Sequence, residues 1–183
     1  MSFNLEFDPA DRVTAGAVGQ PGQRVFLLQA SKGRTLQTWI LEKEQVIALG
    51  RGSYELLGQI GQHEMTKELL GKGTLGSSSP EFGEAMALQA DEPAFRIDPE
   101  SMTIRYDDMR EMIEISFAEL VPDASTEPST VQLWVTPRQL AALAVQGMKV
   151  VAQGRPTCPL CGYPINPEGH ICPSSNGQNP RVR

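Results

Sequence analysis

The sequence predicts an α+β protein: two similar halves of about four antiparallel strands plus one helix each, and a small cysteine-built ribbon at the C-terminus. Three observations predict it. Glycine and proline number 17 and 14 among 183 residues, about 17% of the chain where about 12% is usual, which means many turns and short strands. Short apolar and alternating runs recur between those turns, and each series closes on one segment of helical period. All three cysteines fall within the fifteen residues from Cys158 to Cys172. With 40% hydrophobic and 21% charged residues, the chain can bury a substantial core as one domain or two small ones.

In the first half, residues 1–70, Val13–Gly19 and Arg24–Ala30 read as strands joined by Gln20-Pro21-Gly22-Gln23. Proline at the first central position and glycine at the second fit a type II turn, because glycine accepts the positive φ needed there. Ser31-Lys32-Gly33 turns the chain into a strand over Thr35–Leu41. A helix is expected from about Glu42 to about Ile60, with Val46, Leu49, Leu57 and Ile60 near helical spacing. Gly50 and Gly52 weaken it by ~1 kcal/mol each relative to alanine. His63–Leu70 has the pattern of a further short helix. Residues 71–93 are rich in small and polar side chains and read as a linker or mobile loop.

In the second half, residues 94–154, Phe95–Asp98 and Met102–Asp107 read as strands on either side of a Pro99-Glu100 turn. Met112–Phe117 alternates, with Ile113, Ile115 and Phe117 on one face and Glu114 and Ser116 on the other, the signature of a half-buried strand. After the polar loop Pro122–Ser129, Thr130–Val135 is a strand running into a helix. That helix has the most explicit start in the chain. Thr136 is the N-cap, Pro137 the first helical residue, and Gln139 completes a T-x-x-Q capping box. Its apolar stripe is Leu140, Leu143, Ala144, Gly147 and Val151, and it should stop near Gly154, ahead of Pro156.

The halves share residues as well as element order. Gln37-Thr38-Trp39-Ile40 precedes Lys43-Glu44 and Gly52; 95 residues on, Gln132-Leu133-Trp134-Val135 precedes Arg138-Gln139 and Gly147. This suggests an internal duplication. Strand alternation puts Gln37 with Trp39, and Gln132 with Trp134, leaving Thr38/Ile40 and Leu133/Val135 toward the helix. Each indole is then either core between the halves or part of a two-indole ligand platform.

Charge narrows the partners. Residues 155–183 carry three arginines against Glu168, a net +2, so the body before them carries −8 of the total −6. An acidic body repels phosphate backbones and disfavours non-specific nucleic-acid binding. No run approaches ~20 apolar residues, so no membrane span is expected. Met1–Asp11 carries Glu6, Asp8 and Asp11 without an early basic group, which predicts no signal peptide and a cytoplasmic protein.

The ribbon, residues 155–183, carries the one chemical motif. Cys158-Pro159-Leu160-Cys161-Gly162 is a knuckle that aims two thiolates at one point, and His170-Ile171-Cys172 returns after eight intervening residues. An odd, clustered set of cysteines without an export signal points to metal and not to disulfides. Cys158, Cys161, His170 and Cys172 form a Cys₃His set suited to structural Zn²⁺, so the tail reads as a small zinc ribbon. A redox pair or unligated thiols are the other readings. Four protein ligands leave no open position for water, which argues against catalysis at the ion. A zinc deaminase would need an upstream H-x-E element that His63-Glu64 does not supply.

Other motifs fail on context. Gly71-Lys72-Gly73-Thr74-Leu75-Gly76 fits G-x-G-x-x-G but follows a helical pattern and not a strand. His63, the one histidine outside the ribbon, sits in a polar stretch and reads as a surface residue. Asp107-Asp108 reads as a turn.

Nearly the whole chain resembles a bacterial family, domain of unknown function 3090. The resemblance is carried by AGAVGQPGQRVFLLQA (Ala15–Ala30), LEKEQVIAL (Leu41–Leu49) and GRPTCPLCGYPINPEGHICP (Gly154–Pro173), followed by Asn176-Gly177. All four ribbon ligands match its motif. The resemblance implies no particular chemistry. It does imply a shared pathway with a phosphoglycerate-mutase-like phosphatase and a phosphoinositide-kinase-like protein, whose genes tend to lie nearby. The duplicated strands-and-helix layout is also similar, in architecture alone, to Whirly and PUR-type folds, which bind single-stranded nucleic acid.

The expected function is thus a non-enzymatic, zinc-binding module that binds or adapts a protein partner. Single-stranded nucleic-acid binding through the sheets is the alternative, and an enzyme of unknown type the third class.

Overall fold

A computed structural model describes residues 2–61, 92–155, 158–165, 169–170 and 172–174. These form seven strands and two helices in two sheets. The helix expected over His63–Leu70, His63 itself, the glycine-rich motif at Gly71–Gly76 and most of the 71–93 linker lie outside the described residues.

The first sheet is an antiparallel meander of β2 (Arg12–Val18), β3 (Val25–Lys32) and β4 (Thr35–Leu41). Its first turn is the expected one: the Gln23 N–H donates to the Gln20 carbonyl at 2.9 Å, and Gly22 holds φ at +100°. The second is tighter than expected. Lys32 pairs directly with Thr35, so Ser31 and Lys32 belong to the strand and Gly33-Arg34 alone form the loop. Gly33 carries the positive φ that a two-residue hairpin demands, and its N–H donates to the Asp11 carboxylate at 2.6 Å.

The second sheet contains β1 (Asn4–Phe7), β5 (Thr103–Asp107), β6 (Met112–Ala118) and β7 (Thr130–Val135), in the order β1-β7-β6-β5. The expected strands, about four per half, come to three in the first sheet and four in the second. The extra strand in the second sheet is the N-terminal one, which crosses over and pairs parallel to β7. Asn4–Phe7 is too short to announce a partner, and parallel pairing to a strand about 125 residues away has no local signal. The segment expected as a strand over Phe95–Asp98 instead joins the sheets. Arg96 bridges to Ile40 of β4, and Ile97 bridges to Glu119 just past β6. The Ile97 N–H donates to the Ile40 carbonyl at 2.9 Å, while the Leu120 N–H donates to the Arg96 carbonyl at 2.8 Å.

The helices follow β4 and β7. α1 spans Lys43–Gln59, and α2 spans Pro137–Ala152. α2 begins as its capping box requires: the Gln139 N–H donates to Thr136 Oγ1 at 3.2 Å, and the Thr136 N–H donates to Gln139 Oε1 at 2.8 Å. The same Gln139 amide donates to the carbonyls of Ala10 and Asp11, tying the helix start to the β1–β2 connection. Leu140, Leu143, Ala144 and Gly147 face inward as expected, Val151 packs half-buried against the core, and Val150 is buried as well. The helices pack on each other. A Cβ on Gly50 would stand 2.9 Å from the Met148 side chain, and one on Gly147 would stand 3.1 Å from Val46 Cγ1. Gly50 weakens α1 locally but permits this close crossing.

The core lies between the sheets and beneath the helices, and Trp39 is its largest member at 0% exposure. Phe117 from the second sheet meets it edge-on at 5.1 Å, Phe7 from β1 at 5.9 Å, and Phe95 from the joining segment packs at 6.4 Å. Among the described residues, no helix is long and apolar enough to cross a membrane.

Candidate metal centre

α2 ends at Ala152, and the chain then reaches Cys158-Pro159-Leu160-Cys161-Gly162. The knuckle closes through two backbone bonds: the Gly162 N–H donates to the Cys158 carbonyl, and the Cys158 N–H donates to the Tyr163 carbonyl, each at 2.8 Å. Gly162 turns the chain with φ at +75°, a conformation that side-chain-bearing residues rarely adopt.

The knuckle brings the expected ligands together. Cys158, Cys161, His170 and Cys172 place their donor atoms within 4.8 Å of one another. Cys158 Sγ lies 3.8 Å from Cys172 Sγ, and Cys161 Sγ lies 3.2 Å from His170 Nε2. Two sulfurs bonded to one tetrahedral Zn²⁺ at ~2.3 Å stand about 3.8 Å apart, and a sulfur and an imidazole nitrogen about 3.6 Å apart. The first edge fits without adjustment, and the second needs a few tenths of an ångström. The four residues are thus positioned to hold one metal ion.

The site has a closed side and an open side. Cys158 and Cys172 are 2% and 4% exposed and pack with Ile165 in an apolar cluster of their own, whereas Cys161 and His170 are half-buried. The N–H bonds from Cys161 and Leu160 pull the Cys158 thiol below its ordinary pKa, while burial pushes the Cys161 thiol up. Leu160 within the knuckle and Tyr163 just after it are 60% and 62% exposed.

The two tryptophans do not meet at a surface. Trp39 points into the core with Leu41; Thr38, expected with Ile40 toward the helix, lies on the opposite face of the strand and is buried as well, at 1% exposure. On β7 the inward residues are Val131, Leu133 and Val135, and Trp134 lies half-exposed on the opposite face. Positions 95 residues apart thus present opposite faces, as a slip of one residue in strand phase would produce. Trp134 carries the Arg110 guanidinium 4.0 Å above its ring, and Arg110 is also paired with Asp8. Arg110 comes from the β5–β6 hairpin, and nothing in its local sequence marks it as a partner of Trp134. Asp107 acts as the turn residue expected there, its carboxylate accepting from the Met109 and Arg110 N–H groups. A second buried polar feature was also unmarked: Thr14, Gln29 and Thr38 form one cross-strand row, and the Gln29 amide donates to Thr38 Oγ1 at 2.7 Å.

The family described as "Protein of unknown function (DUF3090)" matches residues 5–172, which include, among the described residues, all of the strands but Asn4 of β1, both helices and all four candidate ligands. The chain belongs to this family. No curated protein and no solved structure matches it.

Proposed function

We propose that this member of the family holds one structural Zn²⁺ at Cys158, Cys161, His170 and Cys172, and works in the cytoplasm as a non-enzymatic module that binds or adapts a protein partner. The closure of the donor set carries the reading: three sulfurs and one imidazole nitrogen lie within 4.8 Å of one another. Three soft thiolates select zinc over magnesium or calcium. Four protein donors leave no position for a water or a substrate, so the ion's contribution is to fold the ribbon. The backbone bonds from Gly162 N–H to the Cys158 carbonyl and from Cys158 N–H to the Tyr163 carbonyl close the knuckle around it.

Leu160 and Tyr163 project from that rigid turn into solvent, where a partner protein would bury them. The phosphatase-like and kinase-like neighbours of the family are the first partners to try. The single-stranded nucleic-acid reading is weaker, since one of its two indoles is buried and the body carries a net −8.

Metal analysis of protein purified without chelators should find one zinc per chain; a clear shortfall overturns the structural-zinc reading. Pull-down from native cells should recover a protein partner, and a Leu160→Asp, Tyr163→Asp double variant that keeps its zinc should lose it. Salt-sensitive retention on single-stranded DNA, with no protein recovered, would favour the nucleic-acid alternative.

A further inference from the structure

Resting on the reading that the cluster is metal-loaded, we infer that Cys161 is the thiolate at which hydroperoxides and alkylating electrophiles attack the site, and that its oxidation releases the ion. Access singles it out. Cys158 and Cys172 belong to the ribbon's apolar cluster and are 2% and 4% exposed, whereas Cys161 packs against that cluster half-buried, beside His170. A coordinating thiol is deprotonated outright by the ion. In the loaded site, therefore, access selects the reacting sulfur, and acidity does not.

The chemistry balances with hydrogen peroxide as the named oxidant. The Cys161 thiolate donates an electron pair to one peroxide oxygen, the O–O bond breaks, and a sulfenic acid and hydroxide form. Cys158 or Cys172, whose sulfurs stand within 4.8 Å, then attacks the sulfenic sulfur as thiolate. An S–S bond forms, a second hydroxide leaves, and both hydroxides take protons from solvent to become water. Two thiolates have lost two electrons to one peroxide, and the ion has lost two of its four donors.

The test uses the full-length, metal-loaded protein and limiting hydrogen peroxide with dimedone present to trap sulfenic acid. Fragment-ion mapping then locates the adduct while a chromogenic chelator follows zinc release. The expected result is an adduct at Cys161 at least about tenfold over Cys158 and Cys172, with release rising in step. Limiting iodoacetamide should give the same order of labelling. Adducts spread evenly, or appearing first at Cys158 or Cys172, overturn the inference while leaving a stoichiometric zinc site standing. Protein that never carries zinc removes the metal reading and this inference together. Cys161→Ser deletes a ligand, so the wild-type mapping carries the test.

Discussion

The core around Trp39 and the cluster around Cys158 are ordered by different means. Trp39 is enclosed by Phe7, Phe95 and Phe117, drawn from β1, the joining segment and β6, with Leu28, Leu41, Ile115 and Leu133 around them. Cys158 has Ile165 and Cys172, with Cys161 alongside. Fully burying one isoleucine contributes about 1.5–3 kcal/mol, whereas fixing one residue's backbone costs about 1–2 kcal/mol. Apolar burial in the ribbon thus offsets the ordering of a residue or two. The body can fold on its side chains, and the ribbon needs a cross-link. Three cysteines and one histidine converge on a point there, positioned to hold a metal ion that would supply it.

Removing the ion should separate the two regions most sharply. Structural zinc contributes about 10 kcal/mol or more to the folding of a small closed site. Chelation is expected to abolish amide-exchange protection across residues 158–172 and leave β3, β4 and α2 protected. Loss of protection throughout the chain would show that the body also depends on the metal. In the body, Trp39→Ala should cost about 3–5 kcal/mol, read by denaturant unfolding, with zinc stoichiometry unchanged below the transition. Gly147→Val adds bulk against Val46 and Ala15 at the helix crossing, and overpacking there should cost about 1–3 kcal/mol. Thr136→Ala removes the α2 cap and should cost about 1 kcal/mol. Arg110→Ala is the smallest change. It removes a partly solvated cation–π contact with Trp134 and the ion pair to Asp8, and should lower the unfolding midpoint less than any of the changes above.

Much of this contrast is legible in the residues themselves. The strands Thr35–Leu41 and Thr130–Val135 fall on their expected bounds, as does the Thr136-Pro137-Gln139 helix start, because alternation and capping are local signals. The convergence of Cys158, Cys161, His170 and Cys172 is equally legible, since C-x-x-C and H-x-C place donors by short-range geometry. The misses are long-range. Parallel pairing of Asn4–Phe7 with β7 is decided by what the finished sheet leaves unpaired, not by the strand itself. The joining role of Arg96 and Ile97 depends on both sheets being in place. The facing of Trp39 and Trp134 could not be read from matching neighbours, because one residue of strand phase inverts it. Gly50 looked like a helix defect until Met148 lay across it.

The most direct test of the central claim is X-ray absorption at the zinc edge on protein purified without chelators. A structural Cys₃His ion predicts three sulfur scatterers at about 2.3 Å and one nitrogen at about 2.0 Å, unchanged by added small-molecule ligands. A spectrum with an oxygen from water in the coordination sphere, or a sample with no zinc edge, would contradict it.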